Sequence, residues 1–285
     1  MRKREFLPFL LLVFLFLIGI YILSPKIKSG LKVISPEELA EKYQTAPTPT
    51  PTPRPLTFAE MNALYGPCVR LPTLMYHHIQ DREAANAKNQ TALSVETETF
   101  KKQMEYLKAK GYRTAGMEEL IAFFDEGTPV SAKSVLLTFD DGYHDFVTTA
   151  LPILSEVGFK ATLFISTGLI DNPGYLAWDD IESASASGNL FANHTWSHKN
   201  LQTSKEKVEF EIQTADSQLA ERGLNSPKVF AYPYGLASDY AGEYLTELGY
   251  KLAFTTRPGS VLCKKQRSEL PRLRIGNTSL GAYGL

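Results

Sequence analysis

Neither sign of charge is in excess: 30 Lys plus Arg stand against 31 Asp plus Glu, a formal net charge of -1 over 285 residues. A nucleic-acid binder normally carries a basic surplus clustered on one face, so nothing here points to that class. Cysteine is almost absent. Cys68 and Cys263 allow at most one disulfide, in an oxidising compartment. Both flank predicted strands, so a bridge requires those strands to be neighbours; two unrelated thiols is the competing reading. No segment repeats at a fixed period. The 44% of hydrophobic residues suffices for at least one full core.

Charge is also missing, locally, from the apolar run Phe6–Leu23, which follows Arg2, Lys3 and Arg4. Eighteen apolar residues are just long enough to cross a ~30 Å hydrocarbon core as a helix. No small-x-small cleavage pattern follows the run, so an uncleaved signal-anchor is expected rather than a removable leader. Positive residues on the N-terminal side keep that end cytoplasmic and place everything after it outside. The expected location is the cell membrane, single-pass, with an extracytoplasmic domain.

Residues 1–24 are therefore read as the anchor and 25–57 as a linker. Within the linker, Ser35 and Glu38 have capping-box spacing at the start of a short helix. Pro47, Pro49, Pro51, Pro53 and Pro55 then alternate with small polar residues, an extended spacer without helix or paired strand. From 58 to 285 strand-like and helix-like segments alternate. LPTLMYHHI (71–79), KSVLLTF, ATLFIST, LFANHT, KVFAYPYG, KLAFTT and LPRLRI read as strands. Phe100, Met104 and Leu107 form one helical face; Val208, Ile212, Ala215 and Leu219 form another. Repeated βα units imply a parallel sheet, open or closed into a barrel, with its active site at the C-terminal ends of the strands.

Chemistry-capable residues collect at those ends. Thr138-Phe139-Asp140-Asp141-Gly142 ends a strongly apolar strand, where two adjacent carboxylates are costly unless a cation neutralises one of them. An isolated pair of this kind would be a helix cap and a turn. His194-Thr195-Trp196-Ser197-His198 follows another strand, and two histidines four apart can face one ion. Together they form an Asp/His/His set with positions left for water, as a hydrolytic metal site requires, and one carboxylate remains to act as a base.

The motifs TFDDG, HTWSH and FAYPYG (230–235), in this order after LMYHHI, resemble those of the NodB-like polysaccharide deacetylases of carbohydrate esterase family four. The resemblance runs from roughly Leu71 to Ile275; the YHH strand and terminal PRLRI are similar to a subgroup that includes poly-N-acetylglucosamine deacetylases. It implies a distorted (β/α) barrel with parallel strands and fewer than eight regular ones. It further implies Asp140 as general base and Asp141, His194 and His198 as ligands of a divalent metal, most often zinc. Tyr234 would offer its backbone N–H to the oxyanion. The expected function is removal of N-acetyl groups from a cell-surface polysaccharide by a monomer.

Two family features are missing. Ala231 stands where an arginine usually opens the third motif, and no histidine follows His198. Arg272 either reaches the base carboxylate from the last strand or is a surface charge. The general acid must come from elsewhere, and His77 or His78 supplies it. Consecutive strand residues face opposite ways, so only one can enter the site, and His77 is the choice made here. Trp178 and Asp179 either line the groove or are structural, with the structural role favoured. The missing residues keep open two alternatives: an O-acetyl esterase on a decorated glycan, and a catalytically weak glycan-binding domain.

Overall fold

The computed structural model describes residues 35–38 and 54–285, and the chain divides into two units, Met1–Pro55 and Leu56–Leu285. The run Phe6–Leu23 and most of the linker lie outside the described residues. No described helix is long and apolar enough to cross a membrane. In the first unit the Glu38 N–H donates to Ser35 Oγ (3.1 Å) and the Ser35 N–H to Glu38 Oε2 (3.2 Å), the reciprocal bonding of a capping box.

The second unit is a closed parallel barrel. Its longest strand, β6 (Ser134–Asp141), is buried at all eight residues, as its continuous apolar run demands. One neighbour is β2 (Thr73–Tyr76), aligned from Thr73↔Leu136 to Tyr76↔Phe139. Another is β7 (Thr162–Ile165), aligned from Thr138↔Thr162 to Asp141↔Ile165. The ring continues through β8 (Leu190–Asn193), β9 (Val229–Ala231), β10 (Leu252–Pro258) and β12 (Leu270–Arg274). It closes where Leu273 and Arg274 pair with Leu74 and Met75 of β2. Seven parallel strands thus make the barrel, and a two-residue strand, β5 (Arg113–Thr114), pairs with the start of β6. A bulge between β10 and β12 and a single aligned pair between β8 and β9 distort the ring.

Helices pack their apolar stripes onto the outside. Phe100, Met104 and Leu107 of the helix Thr97–Ala109 are fully buried in the largest core cluster. Val208, Ile212, Ala215 and Leu219 of Lys205–Ala220 are buried likewise. Burial of each of the larger of these side chains contributes roughly 1.5–3 kcal/mol.

Two features depart from the simple alternation. LPTLMYHHI is not one strand: it breaks at His77, and β3 (His78–Ile79) leaves the barrel to pair with β4 (Ser94–Val95). Cys68 and Cys263 also sit outside the barrel. They face each other in an antiparallel ribbon of β1 (Cys68–Arg70) and β11 (Val261–Cys263), joined by a disulfide. The barrel strands that follow them, β2 and β12, are themselves neighbours, as expected from the sequence for a bridged pair. The bridge closes a span of 195 residues. Unreduced protein should take up no alkylating reagent, and two alkyl groups should add only after reduction. Replacing both cysteines with serine should cost about 2–5 kcal/mol in denaturant unfolding. Two reactive thiols in the unreduced folded protein would refute the bridge.

Candidate active site

The C-terminal ends of the strands deliver the site. β6 ends on Asp140 and Asp141, both nearly fully buried. Beyond β8, the chain turns through His194 to His198. His194 Nε2 lies 3.3 Å and His198 Nε2 3.1 Å from Asp141 Oδ1, and the three ligand atoms lie within 4.8 Å of one another.

These distances alone could describe an ion pair, but the proton placement argues for a cation. His194 Nδ1 is 2.7 Å from the Ala231 carbonyl oxygen, which accepts only from an N–H. A neutral ring donating there presents a lone pair at Nε2. That lone pair faces Asp141 Oδ1, a buried oxygen to which no described residue donates a hydrogen bond. With His198 Nε2 on the same oxygen, two imidazole nitrogens and one carboxylate oxygen converge into a donor set of the kind that holds a divalent ion. Three non-glycine residues around this point, Asp141, Thr195 and His198, hold positive φ angles of 76°, 68° and 57°, as does Tyr234 at 60°. Such backbone is uncommon and persists where surrounding structure enforces it.

The surroundings that enforce it are visible. Asn193 accepts the Thr195 N–H and donates to the Ile212 carbonyl and the Tyr250 hydroxyl. Glu211, buried on the helix Lys205–Ala220, accepts the Ser197 N–H (2.8 Å) and hydroxyl (2.5 Å). Gly168 donates its N–H to the Trp196 carbonyl at 2.7 Å, and a Cβ there would lie 2.6 Å from the indole nitrogen. Glu211 went unnoticed in the sequence, although a carboxylate interrupting the apolar stripe between Val208 and Ile212 was a signal for it.

Asp140 is neutralised separately. Arg272, with no exposed surface, donates from both terminal nitrogens to the two Asp140 oxygens at 2.7 and 2.6 Å. It also donates to the Thr138 hydroxyl and the Thr255 carbonyl. It is not a surface charge. Burial pushes the Asp140 pKa up, but the Arg272 charge and hydrogen bonds, helped by His194 and His77, hold it below the ordinary carboxylate value.

The two histidines of β2–β3 part company. His77, half-buried at the break, feels the charges of Asp140 and Asp141; these raise its pKa against burial, which lowers it from the usual imidazole value. His78 turns the other way, its Nδ1 2.5 Å from Asp145 Oδ2. Tyr234 lies in the turn Pro233–Gly235 with its ring exposed and 4.8 Å from that of His198. The hydrogen bonds of that turn use the Gly235 and Leu236 N–H groups, not that of Tyr234. Trp178 packs against the main core under the Arg222 guanidinium, and Asp179 lies beside it in the first helical turn.

The polysaccharide deacetylase profile matches residues 127–253. Among solved structures, the Streptococcus pyogenes deacetylase PplD in complex with acetate superposes with a TM-score of 0.67 at 31% identity, covering 73% of this chain and 92% of that one. This chain belongs to the polysaccharide deacetylase family. It is therefore a hydrolase of that family, and poly-β-1,6-N-acetyl-D-glucosamine N-deacetylases are among its relatives. The Staphylococcus epidermidis one is 23% identical over 227 residues, 72% of this chain and 78% of its own length. The Escherichia coli K12 one is 26% identical over 248 residues, 72% of this chain but only 36% of its own length.

Removing the guanidinium would strand a buried carboxylate. Arg272→Met is expected to destabilise the deacetylase by roughly 3–5 kcal/mol in denaturant unfolding. Asp140→Asn in the same background should recover part of that loss. An unchanged unfolding midpoint for Arg272→Met would show that the pair does not hold the strand ends together.

Proposed function

We propose that this deacetylase is a membrane-anchored, extracytoplasmic enzyme that removes N-acetyl groups from an N-acetylglucosamine-type polysaccharide of the cell surface, using a divalent cation. The observation that carries the reading is the convergence of Asp141, His194 and His198 beside an arginine-held Asp140. The names of the relatives support the polymer. Zinc suits a set of two imidazole nitrogens and one carboxylate oxygen with open positions.

The cation, when bound, supplies polarisation of the acetyl carbonyl and a lowered pKa for water. Asp140, kept ionised by Arg272, takes the proton from the water that attacks the carbonyl carbon. The Tyr234 N–H donates to the carbonyl oxygen as it gains negative charge, where preorganised donors act most strongly. His77 gives a proton to the sugar nitrogen as the C–N bond breaks, so that acetate and a free amine leave. An amine is a poor leaving group without that proton, whereas a nitrophenolate leaves unaided.

These roles separate in one set of measurements. Chelation should abolish acetate release from N-acetylglucosamine oligomers, and zinc should restore it. Asp141→Ala, His194→Ala and His198→Ala should each lose bound metal. Asp140→Asn should keep the metal and lose activity by roughly 10²–10⁴. His77→Ala should lose most oligomer deacetylation but keep substantial aryl-acetate hydrolysis, and His78→Ala should show no such split. Loss of metal in Asp140→Asn, with retention in Asp141→Ala, would reverse the assignment.

The charge-free run Phe6–Leu23 supports the anchor, and the Cys68–Cys263 disulfide supports an oxidising compartment. N-terminal sequencing of membrane-fraction protein should find the original start. A soluble mature form beginning near residue 25 would defeat the anchor.

A further inference from the structure

A cavity of about 430 Å³ opens beside the residues that follow Asp141. Tyr143, Tyr175, His78, Gln90 and Lys88 are among the residues that line it. Its volume lies within the range of small-ligand clefts, and its lining of aromatic faces edged by a few polar groups is of the kind that binds small polar molecules.

The aromatic wall is built as a column. The Tyr143 ring stacks on His78 at 3.6 Å between centroids, and Tyr175 stacks on Tyr143 at 5.2 Å. His78 forms the buried foot, held by Asp145, which also accepts the Ile79 N–H. His78 Nε2 has no hydrogen-bond partner among the described residues, although its side chain is 5% exposed. Tyr143 and Tyr175 are both half-buried, yet neither is packed into any of the three hydrophobic core clusters of the described residues. Two aromatic rings outside the core, facing a cavity, are not explained by the packing of the fold.

The column is also fixed relative to the ligand atoms. Tyr143 and Tyr175 form an isolated antiparallel bridge. Beside it, the Leu176 N–H donates to the Gly142 carbonyl (2.9 Å) and the His144 N–H to the Gly174 carbonyl (3.0 Å). The segment bearing Tyr175 is thereby stitched to the residues directly after Asp141. Such preorganisation lets a platform bind without first being ordered.

From this geometry we infer that the Tyr143–Tyr175 column is a subsite for a pyranose ring of the polymer neighbouring the residue whose acetyl group is removed. The flat C–H face of the sugar stacks on the tyrosines, and its hydroxyls meet the polar rim at Gln90, Lys88 and His78. The inference rests on the proposed glycan deacetylation. It predicts that the enzyme senses chain length through Tyr175, which lies outside the metal-binding and proton-transferring set.

The test compares Tyr175→Ala, Tyr175→Phe and the parent enzyme. The substrates are N-acetylglucosamine oligomers of one to five residues, both β-1,4 and β-1,6 linked, and an aryl acetate, with metal content and thermal unfolding measured alongside. In the parent, kcat/KM should rise from monomer to oligomer. Tyr175→Ala should lose roughly three- to tenfold on the oligomers, with metal content and aryl-acetate turnover kept. Tyr175→Phe, which keeps the stacking face, should retain the oligomer rate. Equal losses on oligomer and aryl acetate would show that Tyr175 serves the catalytic centre instead. Unchanged oligomer rates in Tyr175→Ala would overturn the subsite while leaving the deacetylase reading intact. A parent enzyme that hydrolyses aryl acetate but no glycan of any length would overturn the reading and the subsite together.

Discussion

Two adjacent buried carboxylates at the end of one strand set the terms for the whole catalytic unit. Asp140 and Asp141 leave β6 within a single peptide of each other, and neither is more than 6% exposed. Two negative charges so close in a medium of low polarity repel one another and are each costly to desolvate. The left-handed backbone at Asp141 turns its carboxylate away from the direction an extended strand would give it. The protein divides the work. Asp140 meets a guanidinium bound through both its oxygens; Asp141 meets the two imidazoles of His194 and His198. The same division gives the pair different surroundings, one carboxylate locked to a guanidinium and the other set between two imidazoles.

Barrel closure follows from the first half of that arrangement. Arg272 belongs to the last barrel strand, and it reaches Asp140 because β12 pairs with β2 and β2 with β6. An open sheet in the same chain order would leave β12 without β2 beside it. The second half depends on bent backbone. Positive φ at Asp141, Thr195 and His198 costs of order 1–3 kcal/mol each unless the surroundings impose it. Those surroundings are the Glu211 carboxylate on the Ser197 turn and the Asn193 side chain beneath it. The strain is thus borne by the outer helix Lys205–Ala220, which must stay packed for the ligands to converge.

The legible part of this design was what recurs with a period or sits in a short motif. Apolar runs of four to eight residues located the strands, and the helical stripes through Phe100 and Val208 became buried faces. Asp140, Asp141, His194 and His198 stood at strand ends in the sequence; the structure clusters the last three and binds Asp140 to Arg272 beside them. What stayed hidden was long-range. Nothing in LPRLRI says that Arg272 is wholly buried, since an arginine on a short terminal strand reads equally well as a surface charge. The ribbon that joins Cys68 to Cys263 comprises two three-residue strands, too short to show alternation. The break at His77 was invisible for a related reason: a run of apolar and aromatic residues carries no mark of where pairing partners change. Tyr143 and Tyr175 form a single isolated bridge and Asp145 opens a helix, too short a context for any periodicity to interpret.

The barrel also explains how two absent family residues can be absorbed. All strand C-termini face one end, so a side chain from any strand can reach the centre if it is long enough or close enough. Ala231 on β9 leaves the carboxylate without an arginine from that side, and Arg272 arrives from β12 instead. No histidine follows His198, but β2 lies directly against β6, and its end places His77 within the field of Asp140 and Asp141. The strand break that follows completes the device. Because β3 swings out to pair with β4, His78 is drawn to Asp145 rather than back into the barrel, and the two neighbouring imidazoles are separated. One lies within the field of Asp140 and Asp141, and the other stacks on Tyr143. A continuous strand through residue 79 would have left His78 without the pairing to β4 that orients it.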